Sequence, residues 1–61
     1  MKQIIIDRAG HPVDFDLACA LMDDELREEV FMRCLDFHDA QGIFDQYAEL
    51  HEARYGLQFC L

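Results

Sequence analysis

Asp39-Ala40-Gln41-Gly42-Ile43-Phe44-Asp45-Gln46-Tyr47-Ala48-Glu49-Leu50-His51-Glu52-Ala53-Arg54-Tyr55-Gly56 is the stretch on which the fold turns. Ile43, Phe44, Tyr47, Leu50, His51 and Tyr55 recur at the spacing that lines one side of an α-helix with apolar surface. Asp39 is the natural N-cap, and Gly56 is placed to take the left-handed conformation that ends helices. On the opposite side Asp45, Glu49 and Glu52 fall at i, i+4 and i+7, a nearly straight row about 10 Å long at the rise of an α-helix. The helix therefore offers one face to a core and a line of acids to the outside.

Upstream, Asp23-Asp24-Glu25 is a dense signal for a helix N-terminus, and Leu26, Val30, Phe31, Cys34 and Leu35 continue it as an inner face running to about Leu35. Asp24, Glu25, Glu28, Glu29 and Asp36 form the outer face, with Arg33 as the i to i+4 partner of Glu29 and Arg27 as the other interruption. Asp36-Phe37-His38-Asp39 joins the two helices, with Phe37 placed to plug the junction.

A third, shorter helix is predicted in Leu17–Met22, capped by Asp14 or Asp16. It is apolar nearly all round, which predicts burial on more than one side. Before it, Lys2 to Asp7 holds three consecutive isoleucines, stiff β-branched residues that favour a strand, and Arg8-Ala9-Gly10-His11-Pro12 reads as a turn. Val13–Phe15 returns as a short hairpin partner, and the apolar run Leu57–Leu61 suits a final strand pairing with the isoleucines. The reading is one α+β domain over residues 1–61: a two- or three-stranded sheet of N-terminal and C-terminal strands packed against three helices.

Composition narrows the function. The chain carries 13 Asp and Glu against 5 Lys and Arg, a net charge of −8 on 61 residues. Twelve of the acids lie between Asp14 and Glu52, opposed there only by Arg27 and Arg33, a local balance of −10. With 52% apolar residues the chain has material for a core despite that charge. Direct contact with nucleic acid is excluded because the helix surfaces carry the phosphates' own sign, and anionic lipid surfaces are repelled for the same reason. No run approaches the roughly 18 apolar residues of a membrane span, and Ile4-Ile5-Ile6 is too short for a secretory signal, so a cytoplasmic monomer is expected.

Catalytic and metal chemistry find little support. Cys19, Cys34 and Cys60 sit in apolar contexts that favour inert thiols over disulfides, and carboxylates near Cys19 and Cys34 would raise a thiol pKa rather than activate it. His51-Glu52 begins like a zinc helix, but Tyr55 occupies the position of the second histidine, and Asp36, His38 and Asp39 lack ligand spacing. Asp14 with Asp16, and Asp23 with Asp24, resemble acid/base pairs only by count, because helix capping accounts for both. No cofactor, metal site or enzymatic activity is expected.

Met22-Asp23-Asp24-Glu25-Leu26-Arg27-Glu28-Glu29-Val30, together with Tyr47-Ala48-Glu49-Leu50-His51-Glu52-Ala53-Arg54-Tyr55-Gly56 and Phe59, resembles small acidic proteins carried by phages and mobile elements. In length, acidity and element order the chain resembles the type I-C inhibitor group of anti-CRISPR proteins. That resemblance implies a non-enzymatic inhibitor that binds the type I-C Cascade complex and prevents recognition of target DNA. A DNA mimic would present Asp23, Asp24, Glu25, Glu28 and Glu29 from one helix and Asp45, Glu49 and Glu52 from the next to a basic groove. The implied partner surface is that of the large subunit that reads the protospacer-adjacent motif, which must be basic to hold duplex phosphates. The alternative is an interaction or regulatory module that docks through an apolar patch around Met32 and Phe37.

Overall fold

The computed structural model describes residues 3–34 and 38–59. Its elements run β1 (Ile4–Ile6), β2 (Pro12–Asp14), α1 (Phe15–Leu21), α2 (Asp24–Arg33) and α3 (Ala40–Tyr55). The α+β class and the three helices agree with the sequence reading. Leu35 and Phe37, expected at the end of α2 and as a junction plug, lie outside the described residues.

The strands pair antiparallel, with Ile4 opposite Asp14, Ile5 opposite Val13 and Ile6 opposite Pro12. Pro12 lacks an N–H, and its position costs the ladder nothing because the flanking bond is made by Asp7 N–H to the His11 carbonyl. Asp7 also folds its buried carboxylate onto the His11 N–H at 2.8 Å, so this acid belongs to the turn. In such a ladder the backbone groups of Ile4 and Ile6 point away from β2. The Gln41 side chain from α3 meets Ile6 there, accepting from its N–H at 2.7 Å and donating to its carbonyl at 2.8 Å.

Each helix begins on an aspartate. The Asp14 carboxylate accepts from the Asp16 N–H, that of Asp23 from Glu25 and Leu26, and that of Asp39 from Gly42. These bonds satisfy N–H groups that have no partner within the helix. Gly42 leaves room for its cap, since a Cβ there would stand 2.6 Å from Asp39 Oδ2. At the far end of α3, Gly56 has φ 72°, which removes the penalty a side chain would meet.

The core gathers Ile5 from β1, Ala18 and Met22 from α1 and its end, Leu26 and Val30 from α2, and Ile43, Phe44 and Tyr47 from α3. Burying a large apolar side chain of this kind stabilises a fold by about 1.5 to 3 kcal/mol. The Tyr47 hydroxyl, buried with its ring, accepts the Asp23 N–H at 2.8 Å, so its polar end is not stranded. α2 and α3 form an antiparallel pair, the start of α2 lying beside the end of α3 through Glu25 with Arg54 and Asp23 with Tyr55.

Three expectations need correction. Leu57–Phe59 is no strand, so both strands are N-terminal; Cys60 and Leu61 lie outside the described residues. Gly56 turns the chain back, His51 Nδ1 donates to the Leu57 carbonyl at 2.7 Å, and Phe59 enters the core. The β1 edge where a third strand would pair is met instead by Gln41. Contrary to expectation, α1 is not enclosed: Ala18 alone in it is fully buried, while Leu17 and Leu21 are 53% and 57% exposed. A seven-residue helix beside a two-stranded sheet has only one face that the rest of so small a molecule covers. Third, Tyr55, placed by its spacing on the apolar stripe, is exposed and puts its hydroxyl on Asp23.

Candidate interaction surface

The acids predicted to meet a partner divide by what already holds them. Asp24 pairs with Arg27 at 2.9 Å, Glu25 with Arg54 at 3.1 Å, Glu29 with Arg33 at 2.9 Å and Glu52 with Arg8 at 3.4 Å. These four arginines are all the arginines of the chain. Each lies against one of the eight acids proposed from sequence. Exposed pairs of this kind contribute little to stability, on the order of 0 to 1 kcal/mol, but they offset charge that would otherwise face outward.

Asp23 is held differently. Its Oδ1 caps α2 and its Oδ2 accepts the Tyr55 hydroxyl at 3.1 Å. The backbone N–H of Leu26 is the largest cause of a pKa below the ordinary carboxylate value; Tyr55, Glu25 and the nearby Arg54 add to it against a desolvation that works the other way. The same contacts raise the Tyr55 phenol, through its hydrogen bond to Asp23, and the Arg54 guanidinium, through its hydrogen bond to Glu25. Arg54 also lies over the Tyr55 ring, 5.8 Å from its centroid. The start of α2 and the end of α3 are thus tied by charge-assisted bonds.

Glu28, Asp45 and Glu49 remain. Among the described residues none of the three meets a cation; Asp45 accepts only from Gln41, at 3.1 Å. Asp45 and Glu49 are neighbours on the exposed side of α3, and Glu28 is exposed on α2. Nine residues separate Asp45 from Arg54, half a turn in angle, so the α3 acids stand on the flank away from α2. Their contacts agree: Asp45 shares the Gln41 amide with Ile6, and Glu52 reaches Arg8 beyond β1. The two acidic sets flank α3 on opposite sides, and the α3 set adjoins the hairpin.

Sequence reasoning missed Gln41, Arg8 and Arg54 as organisers of this surface. The Gln41 to Asp45 bond follows the i to i+4 rule and was available from spacing. The Arg8 and Arg54 pairs join residues 44 and 29 positions apart, and no local pattern marks them.

Among the described residues no pocket opens, and no group of three His, Cys, Asp or Glu side chains converges. The Cys19 thiol is pushed up by burial, with Asp16 adding to the effect and Arg27 opposing it. That favours the protonated, unreactive form. No helix among the described residues is long and apolar enough to cross a membrane. Met32 is strongly exposed on α2, while Phe37, its expected partner in an apolar patch, lies outside the described residues.

Fold and surface together define a small acidic α+β protein that carries its distinguishing chemistry on exposed helix faces. Residues 6–59 match the family described as anti-CRISPR protein AcrIC5, and the chain belongs to that family of type I-C anti-CRISPR proteins. No curated protein matches it. Membership makes the chain an inhibitor of type I-C CRISPR–Cas that acts on Cas proteins of that system.

Proposed function

We propose that the protein inhibits by DNA mimicry, without catalysis, in the host bacterial cytoplasm. Its acidic helix faces occupy a basic DNA-binding surface of the type I-C Cascade, and the target is the large subunit that reads the protospacer-adjacent motif. The observation that carries this reading is the exposed carboxylates of α2 and α3 in a chain of net charge −8. A protein groove built to hold duplex phosphates presents arginines and lysines, and carboxylates on a rigid helix meet them with charge-assisted bonds.

All eight acids, Asp23, Asp24, Glu25, Glu28, Glu29, Asp45, Glu49 and Glu52, contribute to the field that draws the partner in. Direct contacts fall first to Glu28, Asp45 and Glu49, which among the described residues have no ion pair to break before engaging an external cation. Charge reversal tests this. Asp45→Lys with Glu49→Lys, and separately Glu28→Lys, should weaken binding to purified Cascade while the circular dichroism spectrum stays that of the parent. If both variants inhibit like the parent, mimicry by these acids is wrong.

A further inference from the structure

The hairpin's outer face carries two exposed isoleucines, Ile4 opposite Asp14 and Ile6 opposite Pro12, beside the α3 acids. Ile5 points into the core, so Ile4 and Ile6 point outward together, 61% and 48% exposed. Among the described residues no helix covers that face, and a phosphate mimic has no need of it. Gln41 joins it to the acidic flank: one amide nitrogen donates both to the Ile6 carbonyl, at 2.8 Å, and to the Asp45 carboxylate, at 3.1 Å. The isoleucine backbone and Asp45, which meets no cation among the described residues, therefore share one donor, with Glu49 one turn further along α3.

Resting on the function proposed above, we propose that Ile4 and Ile6 form, with Asp45 and Glu49, a composite docking surface for a protein surface whose apolar side chains are bordered by arginine or lysine. Charge decides the occupant. A second copy would bring another chain of net charge −8 and the same acids against these acids, whereas a basic partner satisfies them as the isoleucines lose water. Nucleic acid is excluded by its sign. The surface thus adds to charge mimicry an apolar anchor that DNA lacks, and that anchor resists screening by salt.

The test measures affinity for purified type I-C Cascade at low and at physiological salt. Ile4→Thr/Ile6→Thr keeps β-branched residues on a strand, and circular dichroism checks its fold. It should lose roughly tenfold or more in affinity, the scale of removed interface anchors, and the loss should be equal at both salt concentrations. Asp45→Lys/Glu49→Lys should lose affinity mainly at low salt. Ile4→Lys, at the more exposed position, serves as the second variant should the double variant unfold, and it should also bind more weakly. Ile4→Thr/Ile6→Thr and Ile4→Lys variants that bind like the parent overturn the proposal; if Asp45→Lys/Glu49→Lys still loses affinity at low salt, charge mimicry survives without the anchor. Asp45→Lys/Glu49→Lys that binds like the parent also overturns the proposal, and if Glu28→Lys does the same, charge mimicry falls with it. Sedimentation showing a dimer of the parent that the threonine variant converts to monomer would assign the face to a second copy and also overturn the proposal.

Discussion

Asp23 has both carboxylate oxygens engaged within the molecule, one on the first turn of α2 and one on Tyr55. Its lowered pKa is a statement about stability. A carboxylate whose folded pKa lies below its unfolded value stabilises the fold fully above the unfolded pKa, and that contribution is lost as pH falls through the folded one. Asp23→Ala should therefore lower the melting temperature at neutral pH, and the deficit should shrink as pH drops below the carboxylate range. A deficit independent of pH would mean that the charged form is not favoured by the fold. Tyr47 offers a second test at this scale. Tyr47→Phe keeps the buried ring but leaves the Asp23 N–H without its acceptor, which should cost about 1 to 3 kcal/mol in urea unfolding.

The helices were legible because their signals are local. Asp23 and Asp39 stand just before their helices, Gly56 just after α3, and Glu29 four residues before Arg33; each was named from spacing and each occupies that role. The C-terminal segment was misread because a short apolar run has no period of its own, and burial as a strand and burial as a plug look alike. Phe59 settles it through packing, with ring centroids 4.8 Å from Tyr47, 5.6 Å from His51 and 5.9 Å from Phe44. Phe59→Ala should destabilise the domain by about 3 to 5 kcal/mol, comparable with the whole stability expected of so small a core. A variant that melts near the parent temperature would show that the segment is dispensable. Gly56→Ala isolates the backbone at the end of α3, since an added Cβ meets nothing within 4 Å. The expected loss is about 1 kcal/mol from the left-handed conformation alone.

At the scale of the molecule, net charge was the most readable property and the least specific. Composition shows −8 and helical periodicity assigns the acids to outer faces, but neither shows that every arginine has an acid of its own. Those pairs depend on tertiary proximity, and of the eight acids they leave Glu28, Asp45 and Glu49 without a cation among the described residues. The surface is also divided by α3, with one acidic set beside the hairpin and the other along α2. The two sets should act independently, so the affinity losses of Glu28→Lys and Asp45→Lys/Glu49→Lys should add when combined. Competition on Cascade itself tests charge mimicry most sharply. The affinity of purified type I-C Cascade for duplex target DNA is measured with increasing amounts of the parent protein and of Asp45→Lys/Glu49→Lys. The parent should displace DNA at both low and physiological salt, and Asp45→Lys/Glu49→Lys should need a higher concentration to do so, most clearly at low salt. Cascade that holds the inhibitor and still binds duplex DNA with undiminished affinity would overturn charge mimicry.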